Sequence, residues 1–249
     1  MVSYESAAVL WDLPLYQRRP DAVHISMPGD ARMSSRLRVR RHADRLVEAD
    51  IDELHGVPCT SLERTIWDVA RSLPPEAAVA AVDAALRQIA LSPRRGAAHA
   101  EQTRQRVLDR CATARGVRGI RQAARVVAFA DHRAELPGES VSRFRLRQLG
   151  FERVDLQVPV PGSDGREFRI DLELEDVGVF VEFDGSAKYR DEAMRSGRSL
   201  DDVLLAEKHR EDWIRGVTGK RLVRVASEHI SSPAALRARL SAFGIPMPR

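Results

Sequence analysis

Lysine is nearly missing from this chain: of forty basic residues only Lys188, Lys208 and Lys220 are lysine, and the rest are arginine. Cysteine is almost as scarce, with Cys59 and Cys111 standing alone and without metal-ligand spacing. That argues against a cysteine metal site and suits a reducing cytoplasm. His24, His42, His55, His99, His132 and His229 form no ligand spacing, so no metal role is assigned to them. There is no apolar run of 18 residues and no basic-then-apolar leader, so neither membrane insertion nor secretion is expected and no membrane partner is implied.

The 249 residues suffice for one large or two small domains, and an apolar content of 43% is ordinary for a packed core. A formal charge of +4 permits a nucleic-acid partner. The basic excess is clearest between residues 94 and 125, where nine arginines face only Glu101 and Asp109. Arg118, Arg121 and Arg125 are expected to share one helix face. Phosphate binding and the arginine bias of a high-GC genome explain that stretch equally well.

The most informative segment is RIDLELEDVGVFVEFD, Arg169 to Asp184. Folded as a hairpin turning at Asp176 and Val177, it sets Glu173 opposite Phe180, Asp171 opposite Glu182 and Arg169 opposite Asp184. One face then carries Ile170, Leu172 and Leu174 against Val179, Val181 and Phe183, which fixes the register, since a slip of one residue would expose all six. Asp171 and Glu182 fall on the other face with Cβ atoms roughly 5 Å apart. Two carboxylates that close repel by about 3 kcal/mol at a dielectric of 20, so the pair calls for a cation or a shared proton. Arg169 is expected to ion-pair with Asp184. Pro137, Gly138 and Glu139 open a helix running to about Leu149, with Glu139 in its first turn. Farther on, VLLAEKHREDWIRG reads as a helix carrying Lys208, His209 and Arg210. Its interleaved Glu207, Glu211 and Asp212 suggest a solvated face braced by charge pairs, and Trp213, Ile214 and Val217 its core stripe. Lys188 and Lys208 lie near the acids, where a compact cation able to lose its proton would be useful.

Together, PGES at 137–140, RIDLEL at 169–174, VEFDGSAKY at 181–189 and AEKHREDWIRG at 206–216 resemble the PD-(D/E)XK nuclease superfamily, specifically its very-short-patch-repair-endonuclease-like group in actinobacteria. The resemblance implies a restriction-endonuclease-like mixed sheet flanked by helices over residues 133–249. It implies Mg²⁺ or Mn²⁺ as cofactor, Glu139, Asp171 and Glu182 as metal or water ligands, and DNA as substrate. The family's lysine falls two residues after the second acid, where this chain has Asp184, so Lys188 and Lys208 become the catalytic candidates. Lys188, Lys208 and Arg210 are also candidates for phosphate contact.

The first half, residues 1–132, reads as a smaller α/β domain. VHISMP at 23–28 and LRVRRH at 37–42 are expected as strands joined by a turn around Pro28, Gly29 and Asp30, with a third strand near His55 to Cys59. Thr60 with Glu63 is expected to cap a helix through RTIWDVARSL. Pro74 and Pro75 begin a second helix, and two arginine-rich helices follow, broken at Gly116. Arg64 and Asp68 are expected to pair, with Trp67 in the core. SAAVLWDLPL, TSLERTIWDVA and VDAALR resemble the region that follows the DNA-binding domain of type IV, abortive-infection-type antitoxins. Two functions follow for the α/β chain as a whole. One is a Mg²⁺-dependent DNA endonuclease of defence, repair or mobile-element biology. The other is a nuclease fold that no longer cuts and binds nucleic acid or a cognate toxin, with a homodimer left open.

Overall fold

The computed structural model describes residues 1–27, 38–162, 165–184 and 199–248. Two compact units, Met1–Pro137 and Gly138–Arg249, divide the chain.

In the first unit, helix α1 (Tyr4–Leu10) is followed by β1 (Val23–Met27) and β2 (Val39–Ala43). These strands pair in parallel, Val23 with Val39 through Met27 with Ala43. A tight turn at Pro28 to Asp30 cannot produce that pairing, because a parallel pair needs a crossover; the expected turn itself lies outside the described residues. The single strand expected at 55–59 is a hairpin, β3 (Ile51–Leu54) and β4 (Val57–Thr60). Its two turn residues, His55 and Gly56, both have positive φ, +54° and +76°, as a two-residue hairpin loop requires. Thr60 belongs to β4, and the cap of α2 (Leu62–Ser72) is Ser61, whose hydroxyl accepts from Arg64 N–H. Glu63 does not close a capping box; it pairs with Arg106 at 2.7 Å.

The helices α3 (Pro75–Leu91), α4 (Gly96–Thr113) and α5 (Ile120–Phe129) complete the unit. Ala77, Ala78, Ala80, Ala81 and Ala85 of α3 are all buried, so small side chains let neighbouring helices pack on more than one of its faces. Arg118 precedes α5 and therefore does not share its helical face with Arg121 and Arg125.

A buried charge network ties this unit together. Arg64, 2% exposed, reaches Asp68 at 3.0 Å, Asp50 at 3.1 Å and Asp44 at 3.4 Å. Arg71 bonds Asp68 at 2.9 Å and Asp44 at 3.2 Å, and Arg110 bonds Asp50 at 2.7 Å. Arg64, Arg71 and Arg110 also stand 4.8, 4.4 and 5.0 Å from the ring of buried Trp67, an arrangement that offsets part of their desolvation. Burial pushes the Asp50 carboxyl up, but the bond and charge of Arg110 and the charge of Arg64 outweigh it and leave it below its usual value.

The second unit is a four-stranded mixed sheet in the order β5 (Val154–Pro161), β6 (Glu167–Leu174), β7 (Val179–Phe183), β8 (Arg221–Val225). Helix α6 (Pro137–Gln148) precedes it, α7 (Leu200–Thr218) connects β7 to the parallel β8, and α8 (Pro233–Ala242) ends the chain. The β6–β7 ladder is antiparallel, with Leu174↔Val179, Glu173↔Phe180 and Leu172↔Val181. Ile170, Leu172, Leu174, Val179 and Val181 are fully buried. Phe180, Leu222 and Ile214 of α7 form a core cluster with Val160 and Ile170. Of the stripe expected on α7, only Ile214 is core. Trp213 and Val217 are 39% and 50% exposed, and the Trp213 indole donates to Pro161 O at 2.9 Å.

Candidate functional site: an acid-lined cleft between two strands

The ladder between β6 and β7 stops at Leu172↔Val181. Beyond that point β6 continues to pair with β5, from Ile170↔Val158 to Glu167↔Pro161, while β7 continues along β8 through Phe183↔Val225. The sheet therefore splits where the acids begin. At the apex, Phe183 N–H is taken by the Asp171 carboxylate at 2.8 Å, a side chain answering an amide beyond the end of the ladder. Because pairing ends there, Arg169 does not meet Asp184. It bonds Glu167 at 2.8 Å, and the Asp184 amide bonds Val225 O.

A cavity of about 410 Å³ fills the split. Asp171, Glu182 and Asp184 line it, with Glu167 and Glu207, against Arg169, Arg210 and Arg224. Among the described residues, five carboxylates thus face three guanidiniums. Glu182 is 8% exposed; its partners are Arg210 at 2.7 Å and, more loosely, Arg224 at 3.9 Å. Arg210 also bonds Glu207 at 3.0 Å and Arg169 O at 2.8 Å. Burial disfavours the Arg210 charge, but the hydrogen bond and charge of Glu182 and the charge of Glu207 outweigh it, so its pKa is raised. Arg224 bonds Glu207 at 2.6 Å and Glu211 at 3.2 Å. These contacts follow from the α7 period, which turns Glu207, Arg210, Glu211 and Ile214 toward the sheet, and from the parallel pairing that sets Glu182 beside Arg224.

Glu139 is 1% exposed in the first turn of α6 and accepts from Gln157 Nε2 at 3.1 Å. Gln157, in β5, occupies the position across from Asp171, between the Leu156↔Leu172 and Val158↔Ile170 pairs. It holds a left-handed φ of +54°, so the residue that bonds the helix acid sits at a strained point of the sheet. Close docking of α6 depends on Gly138, where a Cβ would stand 2.2 Å from the Phe183 ring.

Glu139 does not line the cavity, and among the described residues no three His, Cys, Asp or Glu side chains are grouped to hold a metal ion. The all-oxygen donor set fits a hydrated divalent cation held by one or two carboxylates, not a three-carboxylate cage. Lys208 is exposed and outside the cavity lining, while Lys220 pairs with Glu173. Lys188 lies outside the described residues. Arg118, Arg121 and Arg125 belong to the other unit and are exposed. Arg224 and Gln157 went unnoticed in the sequence. Arg224 had a legible signal, a charged residue inside RLVRV, a strand otherwise apolar enough to be central.

No family model matches the chain, and no solved structure matches it. The chain is similar to the uncharacterized proteins MT2308 and Rv2248 from two Mycobacterium tuberculosis strains, 31% identical over 163 residues in each case. The match covers 66% of this chain and 55% of each relative, so it spans about half the length of those proteins. Among the described residues, no helix is long and apolar enough to cross a membrane.

Proposed function

We propose that Gly138–Arg249 is a metal-dependent DNA endonuclease domain that hydrolyses a phosphodiester in the cleft between β6 and β7. The observation that carries this reading is the convergence of Asp171, Glu182 and Asp184 on one cavity, whose lining among the described residues holds five carboxylates and three guanidiniums. A carboxylate cluster that faces an opening marks a candidate site. Asp171 and Glu182 are the residues that would hold Mg²⁺. Bound there, the ion supplies charge neutralisation at the scissile phosphate and a water of lowered pKa. Arg210 orients the Glu182 carboxylate and, with Arg224, stands where positive charge can stabilise a phosphoryl transition state. Neither arginine can serve as a base, because a guanidinium keeps its proton. Arg210 thus takes over the electrostatic part of the missing lysine's work and leaves proton removal to the carboxylates.

The test is supercoiled-plasmid nicking with Mg²⁺ by native protein and by Glu182→Gln, which is expected to cut about a hundredfold more slowly. A second reading has its own observation: Asp184 at the family's lysine position and Arg210 already bonded to Glu182 suit a nuclease fold that binds DNA or a toxin without cutting. Native protein that binds duplex but does not nick, and a gain of nicking in Asp184→Lys, would establish that reading in place of the first.

A further inference from the structure

Nine of the described arginines of the first unit bond an acid: Arg18 to Glu5, Arg40 to Asp21, Arg87 to Glu135, Arg104 to Glu101, Arg106 to Glu63 and Arg133 to Asp131, besides the buried three. Arg19, Arg38, Arg45, Arg94 and Arg95 are exposed without a side-chain acid partner among the described residues, and so are Arg115, Arg118, Arg121 and Arg125. The guanidiniums of these last four have no side-chain hydrogen bond or ion pair to any described residue. They lie within eleven consecutive positions, Arg115 and Arg118 in the bend after α4, and Arg121 and Arg125 four apart on α5, hence on one helix face. The first turn of α5 holds no acid, so its N-terminal dipole adds to the positive potential.

What sets these four apart is their crowding into one bend and the helix that follows it. Like charges held together without a counter-charge cost stability and repay it only when an external anion covers them. Planar guanidiniums spaced along a bend and one helix turn suit a row of phosphates, each taken by one fork of donors.

We infer that Arg115, Arg118, Arg121 and Arg125 form a nucleic-acid backbone-binding face on the first unit, distinct from the cleft of the second. Contacts to phosphate alone position a duplex without reading its bases. Binding is therefore steeply salt-dependent and indifferent to sequence.

The test is fluorescence anisotropy of the full chain with two labelled 20-base-pair duplexes of unrelated sequence, in EDTA, across a NaCl series. EDTA removes metal-dependent cutting, so the outcome is independent of whether the cleft hydrolyses DNA. Native protein is expected to bind both duplexes alike. In Arg118→Ala/Arg121→Ala/Arg125→Ala the slope of log K against log salt should fall by roughly 0.9 per lost contact, about 2.7 in all, with at least about a tenfold loss of affinity at low salt. The triple lysine variant at the same positions should retain most of the binding. Arg87→Ala, which removes an arginine bonded to Glu135, should change the slope far less. An unchanged slope in the triple alanine variant, with circular dichroism showing an intact fold, would overturn the inference. So would equal binding and equal loss with labelled poly-glutamate, which would assign the face to an acidic protein.

Discussion

The two units each gather acids and arginines, and they do so to opposite effect. In the first, Asp44, Asp50 and Asp68 meet Arg64, Arg71 and Arg110, three charges against three, with Asp68 fully buried and Arg64 nearly so. Trp67 lies beside all three guanidiniums, and each carboxylate is bonded. In the second, five carboxylates face three guanidiniums around a cavity. The first cluster is closed and balanced, as a structural ion network must be to survive burial. The second is open, and among the described residues its carboxylates outnumber its guanidiniums. Balance and closure, more than the mere presence of clustered acids, separate charge used to hold a fold from charge available for chemistry.

The largest expected effect breaks the balanced cluster. Arg64→Ala leaves Asp68 and Asp50 short of a partner inside the protein and should cost about 3–5 kcal/mol in urea unfolding. A loss under about 1 kcal/mol would mean that water reaches the network. The same region predicts a pH dependence. His42 is pushed down to about 4 by burial and by neighbouring His24, whose pKa is also lowered by burial. The His42 ring therefore stays neutral in the folded protein down to about pH 4, while the unfolded chain takes its proton from about pH 6.5 downward. Stability is full above that value and falls on acidification toward the folded value. The loss from His42 should reach about 2 kcal/mol between pH 7.5 and 5. Denaturant midpoints in native protein and His42→Gln check it: the variant should show a flatter profile across that window, and identical profiles would exclude the histidine.

Gly138→Ala tests the docking of α6 beside the cleft. Its methyl would enter the space of the Phe183 ring, 2.2 Å away, and should cost about 1–3 kcal/mol as overpacking. The smallest effect is the most discriminating. Asp184→Asn removes one negative charge from the open cluster and should leave stability unchanged or raise it by a few tenths of a kcal/mol. A destabilisation above about 1 kcal/mol would show that Asp184 is structural.

The sequence made some of this legible and hid the rest for identifiable reasons. Alternation along Arg169 to Asp184 was enough to set Glu173 opposite Phe180, because period-two burial constrains every residue at once. It could not reveal that pairing stops at Leu172, since that depends on β8 and β5 pulling the two strands apart and on Asp171 bonding Phe183 N–H. The helical period identified Ile214 as core but not the exposure of Trp213, whose indole finds Pro161 O on a strand some fifty positions away. The partners of Glu182 were equally hidden: Arg224 enters through the parallel pairing of β7 and β8, a long-range contact that no local pattern announces. The parallel pairing of β1 and β2 was missed for the same reason.

The measurement that reaches the central claim most directly is calorimetric titration of Mn²⁺ into native protein, Asp171→Ala and Asp44→Ala. The open cluster predicts one site in native protein, lost in Asp171→Ala because a ligand and a charge go together, and kept in Asp44→Ala. Equal Mn²⁺ binding by native protein and Asp171→Ala, or none by either, would contradict the assignment of the cleft as a cation site.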